Sequence, residues 1–428
     1  MGEASLLGRR VLLGFANSLA RTEGVDKKWL YRRLSTVAGI SLLLLTPRGL
    51  QAEEKGDHSK APVSKKQPLD CSKGFFSLRT PPKECGKSRE VELAVLPAVF
   101  VQKETGFGAV VYTQMSFYTD SEPETDASRM GLSLTYTSNQ QFIARMPTFL
   151  NFKNNNWVIE GASDFRIYPN RYYGVGNDSL WDYQSYSENV LSFDYEVRRR
   201  VYGPLYIGLL WDMRAAFKFS AQQSYDIEGE ETDAEGVLDR EDPTGNGPNF
   251  NHGMGIQAVY DKRDNFNYPR SGGYHRTSLT YYSPVLGGEH KYPFWVIDAR
   301  QYIPVFGTHV LAFQFLSEVR WGDVPFSSMA ELGGPWQMRG YFRGRYRDDN
   351  LALLQFEYRY PIYRRLSGVA FASLGEVYGK KNAFDWGLLR WTTGAGARFR
   401  FGEHTYVRLD AAFNTKTRAI IFNGGQAF

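Results

Sequence analysis

The sequence predicts an all-β protein: a 16-stranded antiparallel transmembrane β-barrel over residues 91–428, with an inward-folding loop between strands eleven and twelve. Three observations lead there. A secretory leader precedes the domain, and no later apolar run approaches the length of a membrane helix. From Val91 onward the hydrophobic period is two, with charge on the polar face of strand after strand. The strand count is even, and long and short connections alternate between the two ends.

The leader is "KKWLYRRLSTVAGISLLLLTPRGLQAEE". Lys27, Lys28, Arg32 and Arg33 form a basic region, Leu34 to Leu45 an apolar core, and a short stretch ends at Ala52. This layout predicts cleavage after Ala52, so residues 1–52 are an N-terminal extension and signal peptide. Residues 53–90 are polar and rich in Lys, Pro and Ser, which predicts a flexible periplasmic segment. It holds the only two cysteines, Cys71 and Cys85, and an oxidising compartment would favour one local disulfide between them. Closing a loop of that size stabilises by roughly 3 kcal/mol in the chain-entropy model.

Composition agrees with this plan. Aromatic residues make up 15% and glycines number 42, as suits many strands, tight turns and aromatic bands. The net charge of +5 is too mild to argue for nucleic acid.

The alternation is plain in single segments. "LSFDYEVR" puts Leu191, Phe193, Tyr195 and Val197 opposite Ser192, Asp194, Glu196 and Arg198. "TYVRLDAAF" puts Val407, Leu409 and Phe413 opposite Tyr406, Arg408 and Asp410. A soluble sandwich alternates too, but its strands are usually shorter, and here arginine and carboxylate recur on the polar face of strand after strand. Sixteen segments are expected, from 91–102 to 418–428. The long connections 169–183, 220–249 and 322–349 all fall at one end, which is the external one. The connection around "DIEGEETDAEGVLDRED" reads as a solvated acidic loop, because its spacing matches no calcium loop.

The connection 322–349 is unusual. "GGPWQMRGYFRGRYRDDN" mixes Arg339, Arg343, Arg345 and Arg347 with Trp336, Tyr341, Phe342 and Tyr346. Glycines 333, 334, 340 and 344 allow tight backbone turns. A sixteen-stranded barrel has a lumen too wide for its own wall side chains to fill. A loop folded inward would fill it, whereas a solvated loop touching lipopolysaccharide is the plainer alternative.

Catalytic chemistry is not visible. The six histidines are scattered, none pairs at metal-ligand spacing, and no nucleophile elbow or phosphate loop stands out. The sequence therefore predicts neither an enzyme nor a cofactor.

Four stretches carry a resemblance: "MRGYFRGR", "GIQAVYDKRDNFNYPRSGGY", "YYGVGND", and "VRLDAAF" with the terminal "IIFNGGQAF". Together they resemble the BamA/TamA-type outer-membrane assembly-factor superfamily, also called the bacterial surface antigen family. "MRGYFRGR" is similar to its V-R-G-F/Y loop motif, with Met338 at the valine position. The stretch at 53–90 leaves no room for a periplasmic POTRA domain, so the resemblance is to compact members. It implies that Arg339, Gly340 and Tyr341 belong to a plug whose arginine meets Glu357 on strand twelve. The family's second carboxylate, on strand thirteen, falls at Ser373, and Glu376 is the nearby alternative.

The resemblance implies a bacterial outer-membrane location and a role in protein or lipid insertion or transfer. A plugged passive channel and a structural surface antigen are the alternatives. Expected partners are outer-membrane lipid and lipopolysaccharide, an unfolded outer-membrane protein or lipid substrate, and a periplasmic partner. Asp261, Arg263 and Asp264 are expected to pair across a periplasmic turn shaped by Pro269 and Gly272. The seam between first and last strands carries Pro97, which gives no N–H, and Gly424 and Gly425, which let a strand bend. Phe428 closes that last strand. The seam reads either as a lateral gate or as a locally bulged but paired closure.

Overall fold

The computed structural model describes residues 91–428, except 103–104, 123–124, 180, 226–229, 233–234, 267, 381 and 402–404. The expected leader, the 53–90 segment and the Cys71–Cys85 bridge lie outside the described residues.

Sixteen long strands form the wall. β1 (Glu92–Gln102), β2 (Gly106–Phe117), β3 (Ser128–Thr137) and β4 (Phe142–Phe152) are followed by the tall β5 (Trp157–Tyr172), β6 (Tyr183–Tyr202) and β7 (Leu205–Tyr225). Next come β8 (Asn249–Asp261), β9 (Gly272–Tyr282), β10 (Tyr292–Val305) and β11 (His309–Arg320). The wall ends with β12 (Asn350–Tyr363), β13 (Leu366–Tyr378), β14 (Arg390–Phe401), β15 (Thr405–Phe413) and β16 (Arg418–Gly424). Each strand pairs antiparallel with the next, so sequence neighbours are also spatial neighbours.

The period of two sorts the two faces. On β12, Leu351, Leu353, Gln355, Glu357 and Arg359 are buried in the lumen, whereas Leu354 points to lipid. Exposed Trp157, Tyr202, Phe306 and Tyr363 mark the rim nearer the short turns, and exposed Trp295, Trp321, Trp386 and Trp391 lie toward the other end. Two aromatic belts bounding an apolar band are what a barrel in a bilayer presents.

Two boundaries differ from expectation. β5 and β7 run several residues higher, to Tyr172 and Tyr225, where their outer ends are held from inside. A short helix, Val237–Glu241, folds out of the acidic connection and buries Val237 and Leu238 against Tyr172, Tyr186 and Phe326. Glu241 accepts from the Tyr172 hydroxyl at 2.6 Å and from Val175 N at 3.0 Å. That part of the acidic loop is therefore packed rather than solvated.

The second difference is β16. It ends at Gly424 instead of reaching residue 428, and Gly425 turns with φ +76°. The last residues enter the lumen.

Candidate functional site

The connection between β11 and β12, residues 321–349, folds down into the barrel. Its stem is a ribbon in which Ala330, Glu331 and Leu332 pair with Asp348, Arg347 and Tyr346. Leu332, Met338, Tyr341 and Tyr346 then form a small core with Leu316 of β11, Leu351 and Leu353 of β12 and Val377 of β13. The tip turns sharply. Gly333 has φ +119°, and a Cβ there would lie 2.1 Å from the Phe342 carbonyl oxygen. Met338, with φ +47°, adopts the left-handed region although it is not glycine. Its fully buried side chain and the Tyr341 N–H bond to its carbonyl (3.2 Å) hold it there.

Arg339 sits at the tip and has no solvent exposure. Its Nη2 lies 2.8 Å from Glu357 Oε1 on β12, and its Nη1 donates to Asp410 Oδ2 on β15 at 3.1 Å. Its guanidinium stacks on Phe371 of β13, 3.6 Å from the ring centre. Gly340 accepts from Thr417 through its carbonyl (2.6 Å), and Tyr341 packs edge-on to Tyr346.

The second carboxylate is Asp410 on β15, not a residue of β13 as expected. Ser373 instead donates to Gln355 (3.2 Å), and Glu376 accepts from the Asp385 backbone N–H (3.1 Å). Neither meets Arg339. Asp410 was visible on the polar face of "TYVRLDAAF", but only the closed wall brings β15 opposite the loop.

The pair is part of a larger charge group. Arg359 binds Glu357 at 2.8 Å, Arg398 binds Asp410 and lies 3.7 Å from Glu357, and Arg408 lies 3.7 Å from Asp410. Four arginines thus surround two carboxylates, all at most 1% exposed. Arg408 also donates to the Pro335 carbonyl (2.6 Å) and stacks on Trp336. Burying this many ions is tolerable only with close pairing and extra hydrogen bonds, so the loop must sit in one place.

The outer rim clamps the loop from above. In "YYGVGND", Gly176 N donates to the Arg347 carbonyl (2.7 Å), and Asn177 is fully buried against β14 residues and the turn before them. Arg345 donates to Ser179 twice and is ringed by Tyr173, Trp181 and Tyr346. Burial opposes ionisation of Glu331, yet the Arg347 and Arg343 guanidiniums beside it hold its carboxyl down at about 2.

The seam is the other feature. Ladders run unbroken from β1 to β16, but none joins β16 back to β1 among the described residues. The two strands approach without pairing. Pro97 lies in mid-β1, paired in register with Val111 of β2 and without a bulge. Gly424 is the last residue of β16 and Gly425 starts the inward turn. Phe428 is buried with Ala427 against Tyr302 of β10 and Val310 and Ala312 of β11. Its carbonyl oxygen accepts from Arg359 Nη2 at 2.9 Å. The tail therefore crosses the lumen toward β10–β12 instead of extending the wall.

At the turn after β8, Arg263 makes a two-point pair with Asp261 (2.6 and 2.9 Å). Asp264 does not join it. Its carboxylate accepts from the backbone N–H groups of Arg270 and Ser271 (2.8 and 3.1 Å).

The Omp85 superfamily domain matches residues 109–428. The chain belongs to the Omp85 superfamily. No curated protein sequence matches it. Among solved structures, it is similar to BamA from Haemophilus ducreyi lacking POTRA domains 1–3, with TM-score 0.52 and 13% identity over 78% of this chain and 70% of that one. It is also similar to CdiB from Escherichia coli, with TM-score 0.50 and 12% identity over 81% of this chain and 68% of that one. At such identities the likeness speaks for the fold: an all-β, nearly closed sixteen-stranded antiparallel barrel with an unsealed seam.

Proposed function

We propose that this Omp85 barrel resides in a bacterial outer membrane and assists the insertion or transfer of protein or lipid there, using the β1–β16 seam as a lateral opening. The observation that carries the reading is the seam. β1 offers 11 residues of strand and β16 only 7, with no ladder between them among the described residues and the last residues diverted into the lumen. An unpaired edge in hydrocarbon is costly. Such an edge attracts lipid headgroups, water or another strand, and each of these suits an assembly role. The wall is also lowest here, because β15 and β16 have 9 and 7 residues against 20 and 21 for β6 and β7. A short wall thins the adjoining bilayer, which lowers the barrier to inserting a new segment beside it.

The docked loop, with Arg339, Gly340 and Tyr341 on Glu357 and Asp410, serves in this reading as the plug that keeps the lumen shut while the seam works. Partners are outer-membrane lipid and lipopolysaccharide, an unfolded outer-membrane protein or lipid substrate, and a periplasmic partner that delivers it.

One observation favours a second reading. Two lumen cavities of about 320 and 410 Å³ share Asp194 and Arg276 in their walls, as a plugged channel would require. The deciding experiment reconstitutes the barrel in vesicles and compares integration of an unfolded outer-membrane barrel with steady ion conductance. Assisted integration with low conductance supports the assembly reading. Large steady pores without assisted integration support the channel.

A further inference from the structure

The turn Lys262–Ser271 has a role that neither the loop plug nor the seam uses. Hydrogen bonds among its described residues brace it. Lys262 N donates to Gly273 O (2.9 Å), Asp264 N to Ser271 O (3.2 Å) and Tyr268 N to the Asn265 side chain (2.9 Å). Gly272 closes it at φ +91°, where a Cβ would lie 2.0 Å from the Lys262 carbonyl oxygen.

From this frame, two aromatic arms reach far round the ring in opposite directions. Phe266 meets Phe149 of β4, with ring centres 5.6 Å apart, and the Arg129 guanidinium of β3 stands over both rings at 5.1 and 5.5 Å. Tyr268 stacks on Tyr406 of β15 at 4.7 Å and 14°. Between the arms, the Pro269 carbonyl accepts from Arg359 Nη1 (3.4 Å), and Arg270 donates to Thr308 O in the β10–β11 turn (3.2 Å). A turn anchored on β3, β4, β12 and β15 at once lies across the mouth of the barrel at the short-turn end. Phe266 is also part of the wall of the 410 Å³ cavity, so it floors the space above.

We infer that the described residues of this turn, Phe266 and Tyr268 above all, form a second gate, which closes the periplasmic mouth of the lumen in series with the loop held by Arg339. Arg359 links the two closures, because the same side chain binds Glu357 in the charge group, Pro269 in the gate and Phe428 in the tail. The inference does not depend on what the seam does.

Conductance of the full chain in planar bilayers tests it. Two closures in series give a pore only when both are open. Arg339→Ala alone, and Phe266→Ala with Tyr268→Ala alone, should each give only rare openings, because the other closure stays shut most of the time. Their combination should raise the open fraction about tenfold over Arg339→Ala, the shift that two lost aromatic contacts bring. A full-sized pore from Arg339→Ala alone, or no gain from the combination, overturns the inference. A crosslink covers the case in which the combined variant fails to fold. Phe149→Cys with Phe266→Cys, in an Arg339→Ala background with Cys71→Ser and Cys85→Ser, should conduct less when oxidised than after reduction. Equal conductance in both states also overturns it.

Discussion

Replacing Arg339 by alanine tests the charge group, and the arithmetic of that group gives a result that intuition would not. Arg339 contributes a contact to each carboxylate, at 2.8 Å to Glu357 and 3.1 Å to Asp410, and a stack on Phe371. Two charge-assisted contacts would nominally be worth ~1.5–3 kcal/mol each. Yet neither carboxylate is orphaned by the change. Glu357 keeps Arg359, Asp410 keeps Arg398 and Arg408, and three arginines still serve two carboxylates. The loss should therefore fall near the low end, ~3 kcal/mol in all, or about a hundredfold more undocked loop. Glu357→Gln is the harsher change. It leaves four buried arginines facing Asp410 alone, and stranding buried charge costs ~3–5 kcal/mol. Trypsin reads the difference, because Arg345 and Arg347 are buried while the loop is docked and cleavable when it is out. Cleavage at those two sites should rise in Arg339→Ala and rise further in Glu357→Gln, in barrels that still resist heat in detergent. If Arg339→Ala matches or exceeds Glu357→Gln, or if neither changes cleavage, the reasoning about surplus positive charge is refuted.

Other outcomes follow from single contacts. Gly333→Ala places a Cβ 2.1 Å from Phe342 O at a φ of +119°, so the loop should fail to dock and trypsin sensitivity should exceed that of Gly203→Ala, where nothing lies within 4 Å. Arg359→Ala should free the last residues, so that carboxypeptidase trims Phe428 and Ala427 quickly; resistance equal to the parent would show that Tyr302 and Val310 hold the tail unaided. Glu331 has a folded value of about 2 against an ordinary 4.5, so its stabilising share is complete above pH 4.5 and is lost as pH falls toward 2. Trypsin-like nicking is impractical there, but pepsin cleavage of the loop should increase over that window in the parent and change less in Glu331→Gln.

The wall was legible in the sequence for a physical reason. Lipid on one side and a charged lumen on the other force a strict period of two, so "LSFDYEVR" and "TYVRLDAAF" read correctly without any partner known. What escaped was whatever depends on closure of the ring. Asp410 meets Arg339 across 71 residues of chain, and a strand's own pattern does not say which loop it will face. "IIFNGGQAF" continues an apolar alternation up to its end, so its two glycines signalled a bend without giving its direction. Tyr302, Val310 and Arg359 set that direction from strands far away in sequence. The helix Val237–Glu241 hid in an acidic run whose only apolar pair, Val237 and Leu238, was the clue. The reach of the 262–271 turn had a signal as well: Phe266 and Tyr268 are two large aromatic residues in a segment that no strand needs.

The central claim is that the β1–β16 seam opens toward lipid. Cysteines scanned along β1 at Ala94, Leu96 and Ala98 against Ile420, Ile421 and Phe422 of β16 will find a pair that crosslinks, in a background with Cys71→Ser and Cys85→Ser. Gln426 is unsuitable, because it lies inside the lumen beside Arg398. The measurement is the rate at which vesicles carrying the locked barrel assist integration of an unfolded outer-membrane barrel, before and after reduction. The account predicts that the locked form falls to the rate of empty vesicles and that reduction restores it. Equal rates in the locked and reduced forms would contradict it.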